Sequence, residues 1–168
     1  DFERAVVLDS RNETAKFFLS ITRLIALPEL PGVRGLLDQL GVDPTGRDFF
    51  AWTADVPRDN RRVPIPPNGM TSGQALKTLE DTVLPEIQLS IEALNGIRDP
   101  NFVLFLAENE TRYRPVILDL GDVVMIRSIL HAMTLAIHFV NDHNLDVRLN
   151  QIYGMSLGDG LNVQSILS

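Results

Sequence analysis

Two histidines, His131 and His138, stand seven residues apart, and Asp142 follows the second by four. Seven residues is about two turns of helix, so the three side chains share a face. His138 and Asp142 could then hold one metal ion or share one proton. Zinc-binding helices usually place His at i and i+4 with a Glu beside the first. That pattern is absent, so solvent exposure or hydrogen bonding within a core is the preferred reading of both histidines. "DHNLD" (142–146) has oxygen-bearing side chains at alternate positions, as an EF-hand loop does. Val147 stands where such a loop requires Gly, and Tyr153 where it requires Glu. Capping of a helix by Asn144 or Asp146 explains it better. "GDG" (158–160) is a turn without the Lys-Ser/Thr of a phosphate loop.

Nucleophilic chemistry finds no support. The chain has no Cys and three His, all between positions 131 and 143, and no G-x-S-x-G. The acid pairs Glu80-Asp81 and Glu108/Glu110 read as solvated charges. Without a base held by a partner in a cleft, the expectation is a non-enzyme with no catalytic residue, no cofactor and no metal.

The balance of charge narrows the partners. A net charge of −7 argues against nucleic acid, which needs a basic face. The arginines of "RDNRR" (58–62) read as a solvated loop. A hydrophobic share of 45% is that of a globular chain. No apolar run is read as long enough to cross a bilayer, so no membrane span is expected. The absence of Cys excludes disulfides but leaves the compartment open. Because Asp1 opens the chain without Met, an upstream leader or domain is expected to have been removed.

Periodicity then places the elements. Phe2 to Leu8 reads as the end of a helix, Asp9 to Asn12 as a turn, and Asn12 as the cap of a second helix. Ala15, Phe18, Leu19, Ile21, Thr22 and Ile25 are spaced for its buried face, and Pro28 and Pro31 end it. Val33 to Leu40 is a short helix closed by Gly41. Residues 42–71 hold half of the ten Pro and read as a wrapping loop anchored by "FFAW" (49–52). Thr71 or Ser72 caps a helix to about Asn95, with Pro85 kinking or splitting it. Residues 102–119 read as a β-hairpin, with Pro115 on an edge. From Asp119 or Gly121-Asp122 a very apolar helix runs to about Asp142. Its polar positions Arg127, His131, Thr134, His138 and Asn141 form one stripe, so it is expected to be the core of the domain.

The opening stretch resembles the junction between two tetratricopeptide repeats. Phe2 stands at the family's aromatic and Ala5 at its small packing position. "VVLDS" (6–10) stands at its Leu-x-Leu-Asp-Pro turn, with Ser10 in place of Pro. Ala15, Leu19 and Ser20 match the small, Leu and small positions of the next helix, while Lys16 and Arg23 replace aromatics. The resemblance covers residues 2–26 and implies a helical hairpin closed at small residues. No second copy follows at a 34-residue period. Residues 118–149 are more weakly similar to uncharacterised exported bacterial helical proteins that also begin with such helices.

The expected fold is therefore mainly α, a tetratricopeptide-like hairpin leading into a divergent helical domain with one small β-hairpin (about 102–119). Residues 1–168 are read as a single domain: hairpin 1–27, Pro-rich loop 42–71 and helical core 72–153. The expected function is a non-catalytic protein-interaction or scaffold module of a larger, exported bacterial protein, with a periplasmic or extracellular location favoured over a cytoplasmic one. A protein or peptide is the expected partner. A helical domain binding a small apolar molecule or lipid is the alternative, and a metal-dependent enzyme ranks behind both. The candidate interaction surface comprises Phe17, Arg23, Phe49, Phe50, Trp52, Arg127, His131 and His138.

Overall fold

The computed structural model describes residues 1–47, 52–60, 62, 65, 71–107 and 114–143. The chain is mainly helical with one two-stranded antiparallel hairpin. It divides into two compact units, Asp1–Ala26 with Leu84–Ala136, and Leu27–Val83 with the residues from Ile137 on.

The first unit opens with helix α1 (Phe2–Leu8) and helix α2 (Glu13–Ala26). Asn12 caps α2 as its spacing predicts, its Oδ1 accepting from the Ala15 N–H at 2.8 Å. The rings of Phe2 and Phe18 stack at 5.1 Å and hold α1 on α2. Helix α5 (Leu84–Asn95) packs on α2 more extensively than any other pair of described elements. Ser20 and Ser90 are both fully buried between them, and Ser90 Oγ donates to the Ser20 carbonyl at 3.3 Å. Hydroxymethyl side chains at this crossing let the two backbones come close.

Around that contact Ile87 and Leu94 are 0% exposed, with Ile91, Ile97 and Phe102 also buried. Phe17 lies 6.3 Å, ring to ring, from Phe102. At the two ends of the α2–α5 pair polar bonds close the edges. Arg23 bridges Glu86 at 2.8 Å and Glu3 of α1 at 3.3 Å. Lys16 Nζ donates to the Gly96 carbonyl at 2.8 Å, and the Glu13 carboxylate accepts from the Arg98 and Asp99 N–H groups.

Strands β1 (Val103–Leu106) and β2 (Val116–Asp119) pair in the register Val103↔Asp119 to Leu106↔Val116. Alternation turns Leu104 inward, while Val103, Phe105 and Ile117 are exposed. Strand β2 runs straight into helix α6 (Leu120–Asp142). Asp119 and Asp122 cap it reciprocally. Asp119 Oδ1 accepts from the Gly121 and Asp122 N–H groups at 2.7 and 3.2 Å, and Asp122 Oδ2 accepts from the Asp119 N–H at 2.9 Å.

Helix α6 overturns an expectation. It is not the core: only Val123 and Leu130 are buried along it, while Val124, Met125, Ile129, Met133, Leu135, Phe139 and Val140 are exposed. The polar residues Arg127, Thr134 and Asn141 of the expected stripe lie on the half-buried side instead. The reading that no run is long enough to cross a bilayer is also corrected. Within this 23-residue helix an 18-residue stretch has a mean hydropathy of 1.8, enough to cross by length and composition.

In the second unit, helix α3 (Pro31–Gln39) starts with Pro at its first position and stops at Gly41. Gly41 has φ +70°; its N–H bonds the Asp38 carbonyl and the Val42 N–H bonds that of Leu37, both at 3.0 Å. This is the left-handed stop that glycine adopts without strain. A 3₁₀ turn at Pro44–Gly46 follows, capped by Asp43. The Thr45 N–H beside Asp43, and Arg58 beside Asp55, hold both carboxyls below the usual carboxylate range.

The Gly46 carbonyl accepts from the Thr53 and Ala54 N–H groups at 2.9 and 3.0 Å. A Cβ on Gly46 would collide with the Thr53–Ala54 backbone. Gly46→Ala is therefore expected to cost about 1–3 kcal/mol by overpacking, read as a lower urea midpoint at unchanged m. An unaltered midpoint would show that the loop does not fold back here.

Helix α4 (Ser72–Thr78) begins with the capping box of Thr71 and Gln74. A π-helical segment, Leu79–Val83, joins it to α5. Pro85 neither splits the run nor leaves it regular. Its ring excludes the carbonyl four residues back and it has no N–H to offer, and a widened turn just before it relieves both problems.

Candidate functional site

Eight residues were expected to form an interaction surface, and the structure treats them differently. Phe17 is a correction: it is buried, in contact with Phe18 and Phe102. The helical pattern put its neighbour Phe18 inward, but α2 is covered on two sides, by α1 and by α5, so both rings find a partner. Arg23 is three-quarters covered and committed to Glu86 and Glu3. Arg127 Nη1 donates to Asn95 Oδ1 at 2.9 Å. Trp52 is exposed, its indole N–H donating to the Ala54 carbonyl at 3.1 Å. Phe49 and Phe50 lie outside the described residues, as do residues 144–168 with "GDG" and all but the first two residues of "DHNLD".

His131 and His138 are both exposed on α6. Asp142 follows on the same helix, but no three His, Asp or Glu side chains gather to hold a metal ion among the described residues. His143 lies against the Phe139 ring and its Nδ1 is 2.7 Å from the Phe139 carbonyl.

Two open grooves are present among the described residues. One, of about 420 Å³, lies between α3 and the α4–π segment. It is lined by Gln39, Gln74, Thr78 and Thr82, and its charged groups Lys77 and Asp81 pair with each other at 3.1 Å.

The second groove, of about 230 Å³, runs between α1, α2 and α5. Val6, Leu19, Leu89 and Ala93 form its floor, with Lys16, Arg23 and Glu92 around it. Its cations are already bonded, Lys16 to the Gly96 carbonyl and Arg23 to Glu86 and Glu3. What the groove offers is apolar surface with fixed polar edges. That suits an apolar side chain of a partner segment.

Leu89 and Ala93 escaped the reading of the sequence because they stand beside, not on, the Ile87–Ile91–Leu94 line that faces α2. Their four-residue spacing is the one signal that marks a second apolar strip. Compared with family models, curated proteins and solved structures, the chain matches none of them.

Proposed function

We propose that the chain is a non-catalytic protein-interaction module that seats an apolar segment of a partner in the groove between α1, α2 and α5. The observation that carries this reading is an open apolar floor, Val6, Leu19, Leu89 and Ala93, flanked by the cations Lys16 and Arg23, both already bonded. Residues 2–26 hold a pair of helices, as the resemblance to a tetratricopeptide junction implies, and hairpins of that class present faces to peptides. An open groove favours a peptide over an enclosed small molecule.

The test uses the intact chain and a library of random 12-residue peptides. Selected peptides should shift the amide resonances of Leu19, Leu89 and Ala93, and Leu89→Glu should weaken them about tenfold or more. Circular dichroism should show the variant folded. Shifts confined to other surfaces, or equal affinity for the variant, would reject the groove as the docking site.

A further inference from the structure

We propose that helix α6 attaches the protein side-on to a lipid bilayer, with the arc from Val124 through Leu135 dipping among the acyl chains. At 100° per residue, Val124, Met125, Ile129, Ala132, Met133 and Leu135 fall within an arc about 180° wide, and all six are exposed. One partner helix covers a stripe nearer 100°. An arc this broad, carrying large flexible apolar groups, fits a fluid apolar phase better than a single protein surface.

Other origins of so apolar a helix fit poorly. A soluble core helix is mostly buried, whereas only 11% of the most apolar window of α6 is covered. A signal sequence would stand near an N-terminus, whereas α6 begins at residue 120. The polar group within the arc is already satisfied: Ser128 Oγ donates to the Val124 carbonyl at 2.8 Å, as hydroxyls facing lipid do.

The orientation follows from the opposite side of the helix. Arg127 lies there, bonded to Asn95 of α5, and a spanning orientation would carry that cation and its partner into hydrocarbon. Lying in the interface plane, α6 keeps Arg127 on the protein side and turns the apolar arc to the lipid, with the exposed His131 at the edge of the arc, toward the headgroups. The arc holds no Lys or Arg, so attachment should draw on apolar burial and not on anionic headgroups.

The chain lacks Cys, so single Cys residues at Met125, Ile129 and Leu135 can carry an environment-sensitive fluorophore, with Arg34→Cys as the control. Vesicles of pure phosphatidylcholine should brighten and blue-shift the three α6 labels and leave residue 34 unchanged. Nitroxides along the acyl chains should place all three at one shallow depth. Phosphatidylserine should alter binding by less than about twofold, and Ile129→Glu with Leu135→Glu should reduce it about tenfold or more while the fold persists.

Four results would overturn the proposal. These are no vesicle binding, labels spread from headgroup to bilayer centre, binding that requires anionic lipid, or blue shifts that grow with protein concentration when no lipid is present. The last would assign the face to a second copy of the chain.

Discussion

Ile87→Ala is expected to remove about 2–5 kcal/mol of folding stability, whereas Ile129→Ala should change it by no more than about 0.5 kcal/mol. The two isoleucines sit on amphipathic helices of the same unit, so hydrophobicity does not separate them. Burial does: Ile87 is 0% exposed and Ile129 53%. Deleting three carbons from Ile87 leaves a cavity lined by the α2–α5 contact, which the close approach at Ser20 and Ser90 keeps from collapsing. Deleting the same atoms from Ile129 removes surface already in water. Urea unfolding followed by circular dichroism measures both. A larger loss at Ile129 would mean that α6 is the core after all.

Ser20 gives the second large effect, and its sign depends on the replacement. The side chain is fully buried, and its Oγ has no hydrogen-bond partner among the described residues. A buried hydroxyl left unpaired has surrendered its water without return. Ser20→Ala should therefore be neutral or raise stability by about 1 kcal/mol, the lower bound of that desolvation cost. Ser20→Leu should destabilise by about 1–3 kcal/mol, because three further carbons must enter the α2–α5 crossing. Thermal unfolding of the pair reads the difference directly. If Leu were tolerated as well as Ala, the helices would not approach closely there.

Local chemistry was legible in the sequence. Asn12, Thr71 with Gln74, Asp119 with Asp122, and Gly41 each act on backbone groups within five residues, so their types and spacing determine what they do. The hairpin was legible for the same reason, as two β-rich runs with a polar turn between them. Pro85 signalled a defect but not its form, since a kink, a break and a π-turn all answer the missing N–H.

What lay beyond the sequence was the choice of partners. The most apolar helix was expected to be the core, because hydrophobicity records a cost of exposure to water and not what relieves it. The core formed instead around α5, whose apolar residues meet α2 across some seventy positions of chain, as the Ser90–Ser20 bond shows. Arg23 was expected on an exposed surface and Lys16 only as a departure from an aromatic, and their partners Glu86 and the Gly96 carbonyl stand 63 and 80 positions along the chain. The groove inherits that difficulty, since its floor joins Val6 and Leu19 to Leu89 and Ala93.

The placement of the core between α2 and α5, with the apolar arc of α6 turned outward, is tested most directly by thiol accessibility in the lipid-free chain. Ile129→Cys and Ile91→Cys, compared in native buffer with a maleimide reagent, should separate widely. The thiol at 129 should react at nearly the rate of a free thiol. The thiol at 91 should be protected until the protein opens. Protection at 129 with free reaction at 91 would contradict this arrangement and restore α6 to the core.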